Sequence, residues 1–249
     1  LQVGISSLDA LRETADMAES LGSRAGVHLE VDTGMGRSGL DWRAVDTWGP
    51  HVSQATGGTL RWVGRYTHLH SANEGPESVH EQWRRLQGTL ERLRPPEGVM
   101  VHVLNSSAAL RLPEYAVAVV RPGIFLYGGE IGTGLVVPEP VVALRARVVH
   151  IKEAAPGDSV GYGATYHAQG AERWATLSIG YGDGLSRALG NRGHVLLRGV
   201  RAPIIGRISM DVTVVNITGV PDVGRGDIAT LIGIDGDARI TLDEVAGLA

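Results

Sequence analysis

Cysteine is absent from the 249 residues, and lysine and phenylalanine occur once each, the lysine at Lys152. Disulfide frameworks, thiolate metal sites and cysteine nucleophiles are therefore excluded, and any lysine chemistry has a single possible home in this chain. Aromatic residues make up only 5%. No run of 18 apolar residues occurs and the start is not basic-then-apolar, so no membrane-spanning helix or secretory signal is expected, and cytoplasm is the expected compartment. Neither sign of charge dominates: 23 Lys and Arg stand against 27 Asp and Glu, a net charge of -4. That balance removes the broad electrostatic basis for binding nucleic acid or an anionic membrane. What is present describes a globular chain of one large or two smaller domains, with 43% hydrophobic residues, 20% charged residues and 35 glycines. The opening at Leu1 and the stop at Ala249, soon after the capping-box pattern Thr241-Leu-Asp-Glu244, both read as cut ends.

The first half alternates helical and strand patterns. Ser7 precedes an amphipathic stretch (Leu8, Leu11, Ala15, Ala18, Leu21) ending at Gly22, and residues 27–31 read as a strand. A helix near 41–48 leads to a strand at 60–69. Val79, Trp83, Leu86, Leu90 and Leu93 recur on one helix face that Pro95-Pro96 ends. A strand at 99–104, a helix start at Asn105-Ser106-Ser107 and a fourth strand at 116–120 complete four βα beats. From 128 to 140 the composition shifts to Gly and Pro, and beyond it short β-rich runs at 141–151, 175–179, 194–197, 212–217 and 228–231 are separated by turn residues. The expected architecture is α/β: the second half of a TIM-like (β/α)8 barrel in residues 1–134, followed by a small mostly-β domain in 135–249. Four beats are half of the eight a barrel needs, so either the sheet is open or an N-terminal half is absent; the cut-looking start favours absence.

Several motifs stand where chemistry is possible, each beside a plainer reading. Arg121-Pro-Gly-Ile124 offers backbone N–H groups at a glycine turn, and Asn105-Ser106 a hydroxyl at a helix start, which together suit phosphate; ordinary βα-turn chemistry uses the same residues. Asp32-Thr-Gly-Met-Gly-Arg37 turns the chain out of a strand without the Lys-Ser/Thr of a P-loop. His68-Leu-His70 has the spacing of a metal pair on one strand face, which keeps a metallohydrolase as a rival, while His102 within Val-His-Val reads as a satisfied core histidine. In Gly161-Tyr162-Gly163 and Gly180-Tyr181-Gly182, flanking glycines leave the phenol approachable, or simply make a β turn with a surface tyrosine.

In order along the chain, Val31-Asp-Thr-Gly-Met-Gly-Arg37-Ser-Gly39, Tyr66-Thr-His68, Asn105-Ser106, Val120-Arg121-Pro-Gly-Ile124, Val160-Gly-Tyr162-Gly-Ala-Thr-Tyr166, Ile179-Gly-Tyr181-Gly-Asp-Gly184 and Gly206-Arg-Ile-Ser-Met210-Asp211 closely resemble the alanine racemase family. The resemblance covers essentially the whole chain. It implies a pyridoxal 5'-phosphate (PLP) enzyme that interconverts L- and D-alanine, supplies D-alanine for peptidoglycan and works as a head-to-tail homodimer with shared sites. By motif, Arg121 resembles the residue that hydrogen-bonds the PLP pyridine nitrogen, and Ser106 with the N–H groups of Gly123 and Ile124 resembles the phosphate cradle. His68 matches a histidine linking Arg121 to the catalytic tyrosine. Tyr162 resembles the base, delivered from the partner subunit, whose ordinary pKa of ~10 has to be met by a cationic neighbourhood. Arg37 and Met210 match positions that hold the substrate carboxylate, the latter through its backbone, and Tyr181 a pocket-lining tyrosine. No metal is implied. The rivals are a sibling racemase on the same scaffold, for example one acting on serine, and a non-enzymatic PLP-carrying barrel protein.

Two departures shape the expectations. The family's PLP-binding lysine belongs to a segment ahead of Leu1, and a C-terminal phosphate-binding tyrosine falls beyond Ala249; Lys152 matches no catalytic position. This chain alone is accordingly expected to be inactive, and, since half a barrel leaves unpaired strand edges and an uncovered apolar face, poorly soluble or only partly folded. Second, Glu30 stands where many relatives carry a carbamylated lysine. Strand alternation puts it on the face of His28 and Asp32, from which it is expected to pair with Arg37.

Overall fold

In the computed structural model, which describes residues 1–249, the alternating half of the sequence forms a parallel sheet with a helix after each strand. The chain splits into two units, Leu1–Phe125 with Ile131–Val136 and Leu126–Glu130 with Val137–Ala249. In the first, β1 (Gln2–Ile5), α1 (Leu8–Ser20), β2 (Ala25–Asp32), β3 (Leu40–Asp41), α2 (Val45–Gly57), β4 (Leu60–Tyr66), α3 (Glu77–Leu93), β5 (Met100–His102) and α4 (Ser106–Arg111) follow one another. The strand order is β1-β2-β4-β5, all parallel, with β3 against the end of β2. Each βα unit adds its strand beside the previous one without reversing direction across the sheet, which is the winding of a barrel rather than of a doubly wound sheet.

Alternation sorts the strand residues. Val27, Leu29 and Val31 of β2 join Leu60, Trp62, Val101 and the buried faces of the helices in one apolar core, which leaves His28, Glu30 and Asp32 on the opposite face. Ser7 caps α1 by accepting from Ala10 N–H at 3.1 Å. β4 carries one extra residue: Val27 pairs with Trp62 but His28 with Gly64, so Val63 is a bulge that brings Gly64 and Tyr66 opposite His28 and Glu30. Gly64 is required there, because a Cβ would fall within the His28 ring.

The four expected beats are present but displaced by one. β1, too short for a periodic signal, opens the series, and the strand expected at 116–120 does not form. That segment lies alongside β5 with only two backbone bonds, Ala118 N–H to Val101 O (3.3 Å) and Arg121 N–H to Leu104 O (2.8 Å), and Val117, Val119 and Val120 are exposed. β-branched residues favour a strand only where a ladder engages them. The helix expected at 41–48 starts at Val45 and continues past Pro50 to Gly57, after a 3-10 turn at Trp42–Ala44.

The second unit is antiparallel. β6 (Leu144–Ala154), β9 (Glu172–Leu177), β10 (His194–Leu197), β11 (Val200–Pro203), β12 (Thr213–Asn216) and β13 (Ile228–Asp235) lie in the order β11-β10-β13-β6-β9-β12, with β14 (Ala238–Ile240) on β13. Val148, Leu177, Val195, Leu197, Val215 and Leu231 fill its core. A hairpin of β7 (Ser159–Val160) and β8 (Tyr166–His167) rests on a separate small cluster of Ala154, Ala168, Trp174 and Ile205. Thr241 caps α5 (Leu242–Leu248), as its capping-box pattern leads one to expect, by accepting from Glu244 N–H at 3.0 Å.

Candidate active site

Parallel strands deliver their last residues to one end of the sheet, and in the first unit β2, β4 and β5 bring Asp32, Tyr66 and His102 there. Arg121 is fixed among them. Its Nη1 donates to the carbonyl (2.6 Å) and to Nδ1 (2.8 Å) of His102, its Nη2 donates to Thr67 O (2.7 Å), and its guanidinium lies 5.0 Å over the Tyr66 ring. Burial draws its pKa down while Tyr66 and Glu30 push it up; a guanidinium keeps its proton at neutral pH in either case.

The histidine bonded to Arg121 is thus His102, not the expected His68. His102 stacks on Tyr66 at 4.8 Å, and its Nε2 lies 2.9 Å from His28 Nδ1; His28 Nε2 lies 2.9 Å from Gln2 Oε1. One proton assignment satisfies this row. Arg121 can only donate, so His102 Nδ1 accepts, His102 Nε2–H donates to His28 Nδ1, and His28 Nε2–H donates to Gln2. Both rings are then neutral. Burial, reinforced by Arg121 and His28, pushes His102 down to about 4, and burial lowers His28 too. His68 makes no side-chain hydrogen bond; its pKa is lowered by burial and then by Arg121 and Arg37, with Glu30 opposing.

Ser106, 8% exposed, accepts from Gly123 N–H at 2.8 Å, so a hydroxyl and a glycine turn separated in sequence do meet, with Ile124 next along the turn and 51% exposed. A Cβ on Gly123 would meet nothing within 4 Å, which leaves open space in front of the pair. Asn105 holds the turn by accepting from Ala108 N–H (3.1 Å) and donating to Leu69 O (3.1 Å). Glu30 does point inward, at 8% exposure, but it accepts from Ser38 Oγ (3.0 Å) and Tyr66 O–H (3.4 Å) and forms no pair with Arg37. Arg37 is exposed at the end of a loop closed by Asp32, whose carboxylate accepts from Gly34 and Gly36 N–H. The strand ends are further joined by Gln82 of α3, 1% exposed, which donates to Thr33 Oγ1 and His68 O and accepts from His70 N–H. His70 Nδ1 is engaged by Ser71 Oγ, and no three His, Asp or Glu side chains come together as a metal-ligand set.

His102 is the satisfied core histidine the sequence led one to expect, but its place beside Arg121 was not foreseen, nor were the roles of His28, Tyr66 and Gln82. For the histidines the signal was present, since Val-His-Leu and Val-His-Val place a ring opposite each core residue; their mutual contact depends on the β4 bulge.

In the second unit, Tyr162 sits in the turn between β7 and β8 with its side chain 72% exposed. Tyr181 and Met210, distant in sequence, are adjacent: Tyr181 N–H donates to Ser209 O (3.0 Å) and Gly182 N–H to Met210 O (2.7 Å), while Met210 N–H is not used within the chain. A Cβ on Gly180 would strike the Ser209 and Met210 carbonyls, so this approach requires glycine. Arg187 lies 5.3 Å over the Tyr181 ring. Lys152 of β6 is 3.3 Å from the Asp158 carboxylate and 5.2 Å over Trp174.

Parallel βα units with functional groups at their strand ends, and an antiparallel unit in the same chain, define an α/β-barrel protein with a C-terminal β unit. Residues 1–131 match the family model described as alanine racemase, N-terminal domain, and residues 141–249 that described as alanine racemase, C-terminal domain. The chain belongs to the alanine racemase family. Alanine racemase of Sorangium cellulosum is 39% identical over 233 residues, covering 90% of this chain and 61% of its own. Among solved structures, alanine racemase from Streptomyces coelicolor A3(2) superposes with a TM-score of 0.84 at 32% identity, over 100% of this chain and 67% of that one. The enzyme from Bartonella henselae, with covalently bound pyridoxal phosphate, gives 0.77 at 27% identity, over 98% of this chain and 66% of that one. The chain spans between 59% and 65% of the length of curated relatives such as these.

Proposed function

We propose that this chain supplies, within an alanine racemase, the residues that hold the phosphate and ring nitrogen of PLP and the tyrosine that exchanges the Cα proton of L-alanine. The observation that carries the reading is the fixed Arg121 guanidinium in the same unit as the Ser106–Gly123 pair. These donors fit such a group: a hydroxyl with adjacent turn N–H groups suits a phosphate, and an arginine locked by two backbone carbonyls and an imidazole suits a neutral ring nitrogen. The amine that attaches PLP covalently has no counterpart in the first unit, which contains no lysine.

When bound, the cofactor supplies an electron sink for the charge left at Cα. Ser106, Gly123 and Ile124 would hold its phosphate. Arg121, which can donate but does not release a proton at neutral pH, would meet the ring nitrogen as a donor and so would leave the ring uncharged. His102, neutral against Arg121, adds no charge next to that guanidinium. Tyr162 would take the Cα proton of L-alanine; its exposure on its own unit leaves it free to reach a site on a second copy of the chain, as the family resemblance implies. Arg37 and the unused Met210 N–H would receive the substrate carboxylate, and Tyr181, next to Met210, would line the pocket.

Titration with pyridoxine 5'-phosphate, which has the phosphate and ring but no aldehyde, tests the donor set apart from covalent attachment. Saturable binding is expected, weakened about tenfold or more by Ser106→Ala, since hydrogen bonds to charged groups contribute ~1.5–3 kcal/mol. Equal affinity in the two proteins would overturn the phosphate assignment.

A further inference from the structure

The turn that presents Tyr162 has little to hold it by itself. Its legs, β7 and β8, pair Ser159 with His167 and Val160 with Tyr166, extended at the base by Gly157 N–H to Ala168 O (2.9 Å) and Ala168 N–H to Asp158 O (2.8 Å), and a two-stranded hairpin of this length is marginal in water by itself. Between the legs, Gly161 (φ 72°), Gly163 (φ 76°) and Ala164 (φ 45°) adopt left-handed conformations, the last at a cost for a residue with a side chain. Such a turn keeps one geometry only when its surroundings determine it.

The closest determinant is a carboxylate that the proposed chemistry does not use. Glu172, the first residue of β9, is 8% exposed, and no cation lies within ion-pair distance of it. Four donors surround it instead. Tyr166 O–H (3.1 Å to either oxygen) and Gln169 N–H (3.0 Å) meet Oε1, while Trp174 Nε1–H (2.6 Å) and Asn216 Nδ2–H (2.9 Å) meet Oε2. Asn216 also donates to the Tyr166 hydroxyl at 3.2 Å, and its own oxygen is fixed by Thr218 N–H and Oγ1, which sets its amide orientation. A carboxylate is an acceptor only, and three of the four groups, Gln169 N–H, Trp174 Nε1–H and Asn216 Nδ2–H, can only donate, while the Tyr166 hydroxyl already accepts from Asn216, so the set favours a carboxylate over an amide or a protonated acid.

We infer that Glu172 is a positioning residue for Tyr162, holding the β7–β8 turn to the β unit through Tyr166. The assignment of Tyr162 as base belongs to the proposed function; the anchoring itself stands on this geometry alone. Glu172 fixes the β8 leg. Asn191 fixes the tip from the other side, donating to Thr165 Oγ1 (3.1 Å) and accepting from Gly206 N–H (2.6 Å). Loss of Glu172 therefore frees the segment from 157 to 168 rather than the whole unit, whose core is a different cluster.

Amide hydrogen exchange of the whole protein tests this, comparing wild type with Glu172→Gln and with the milder Tyr166→Phe. Glu172→Gln turns an acceptor into a donor facing donors. Exchange across 157–168 is expected to quicken about tenfold or more, and across 194–197 of β10 to stay within about twofold. If Glu172→Gln unfolds the unit, local quickening in Tyr166→Phe still supports the inference. Unchanged exchange at 157–168 in both variants, or equal quickening at 157–168 and 194–197 in both, would overturn it. Racemisation by the same variants, made in this chain joined to an N-terminal segment that supplies the PLP-attaching lysine, separates the two readings. Quickened exchange with a fall in kcat and a lesser change in KM supports both, whereas quickened exchange with full racemisation in a separate Tyr162→Phe protein leaves the anchor standing and removes the base.

Discussion

Arg121 acts through what its neighbours forbid. Its N–H groups can only donate, which fixes His102 as an acceptor at Nδ1 and passes one proton polarity through His28 to Gln2. Protonating either imidazole puts two donors face to face. His102 has a folded pKa pushed down to about 4 against an ordinary 6.5, so between those values the unfolded chain binds the extra proton and folding stability falls as pH is lowered. The expected loss from pH 6.5 to 4.5 is on the order of 2–3 kcal/mol from this residue, with His28 and His68, both also lowered, acting in the same direction. Denaturant midpoints at the two pH values check it. His102→Gln should be less stable than wild type at pH 6.5 and lose less over the interval; parallel losses would place the acid sensitivity elsewhere. Burial of His102 and Glu30 was legible from strand alternation, but their partners were not, because which side chains meet across a sheet depends on register. Register sets Tyr66 opposite Glu30, and the loop after β2 brings Ser38 to it in place of Arg37.

At the scale of elements, the bulge in β4 decides the register. It sets Gly64 opposite His28 and Tyr66 opposite Glu30, where Tyr66 can stack on His102 and lie under Arg121. Gly64→Ala should cost about 1–3 kcal/mol or more by forcing the His28 ring aside. Gly88→Ala in α3, where a Cβ meets nothing within 4 Å, should stabilise by about 1 kcal/mol through helix propensity. Urea unfolding of the two variants gives the comparison, and equal effects of the same sign would contradict the pairing of Gly64 with His28. Helical periodicity made α1 and α3 readable, and turn residues made most of the antiparallel strands readable. β1 and the short strands β7, β8, β11 and β14 were not, because none carries the consecutive apolar or β-branched residues that mark the equally short β10 and β12, and the Ala-Val alternation at 116–120 gave strand propensity without a ladder to use it.

The whole chain combines two units with separate cores, and motifs scattered over it converge inside each one: Ser106 with Gly123 in the first, Tyr181 with Met210 in the second. Order and number of motifs, more than any single one, made the family legible. The one residue type that covalent PLP attachment requires is committed elsewhere, since Lys152 pairs with Asp158 and lies over Trp174. Borohydride reduction of this chain with PLP should therefore leave no stoichiometric, saturable label on the Lys152 peptide by mass mapping, and a single saturable label there would contradict that. The central claim is that Tyr162 exchanges the Cα proton of L-alanine. Its most direct test is the loss of the α-proton signal of L-alanine in deuterated buffer, followed by proton NMR with this chain joined to an N-terminal segment that supplies the PLP-attaching lysine, and with the Tyr162→Phe and Tyr166→Phe variants of that protein. Tyr162→Phe should slow exchange starting from L-alanine by about 100-fold or more, with Tyr166→Phe, which only loosens the turn, losing much less. Exchange at the wild-type rate in Tyr162→Phe would contradict the account.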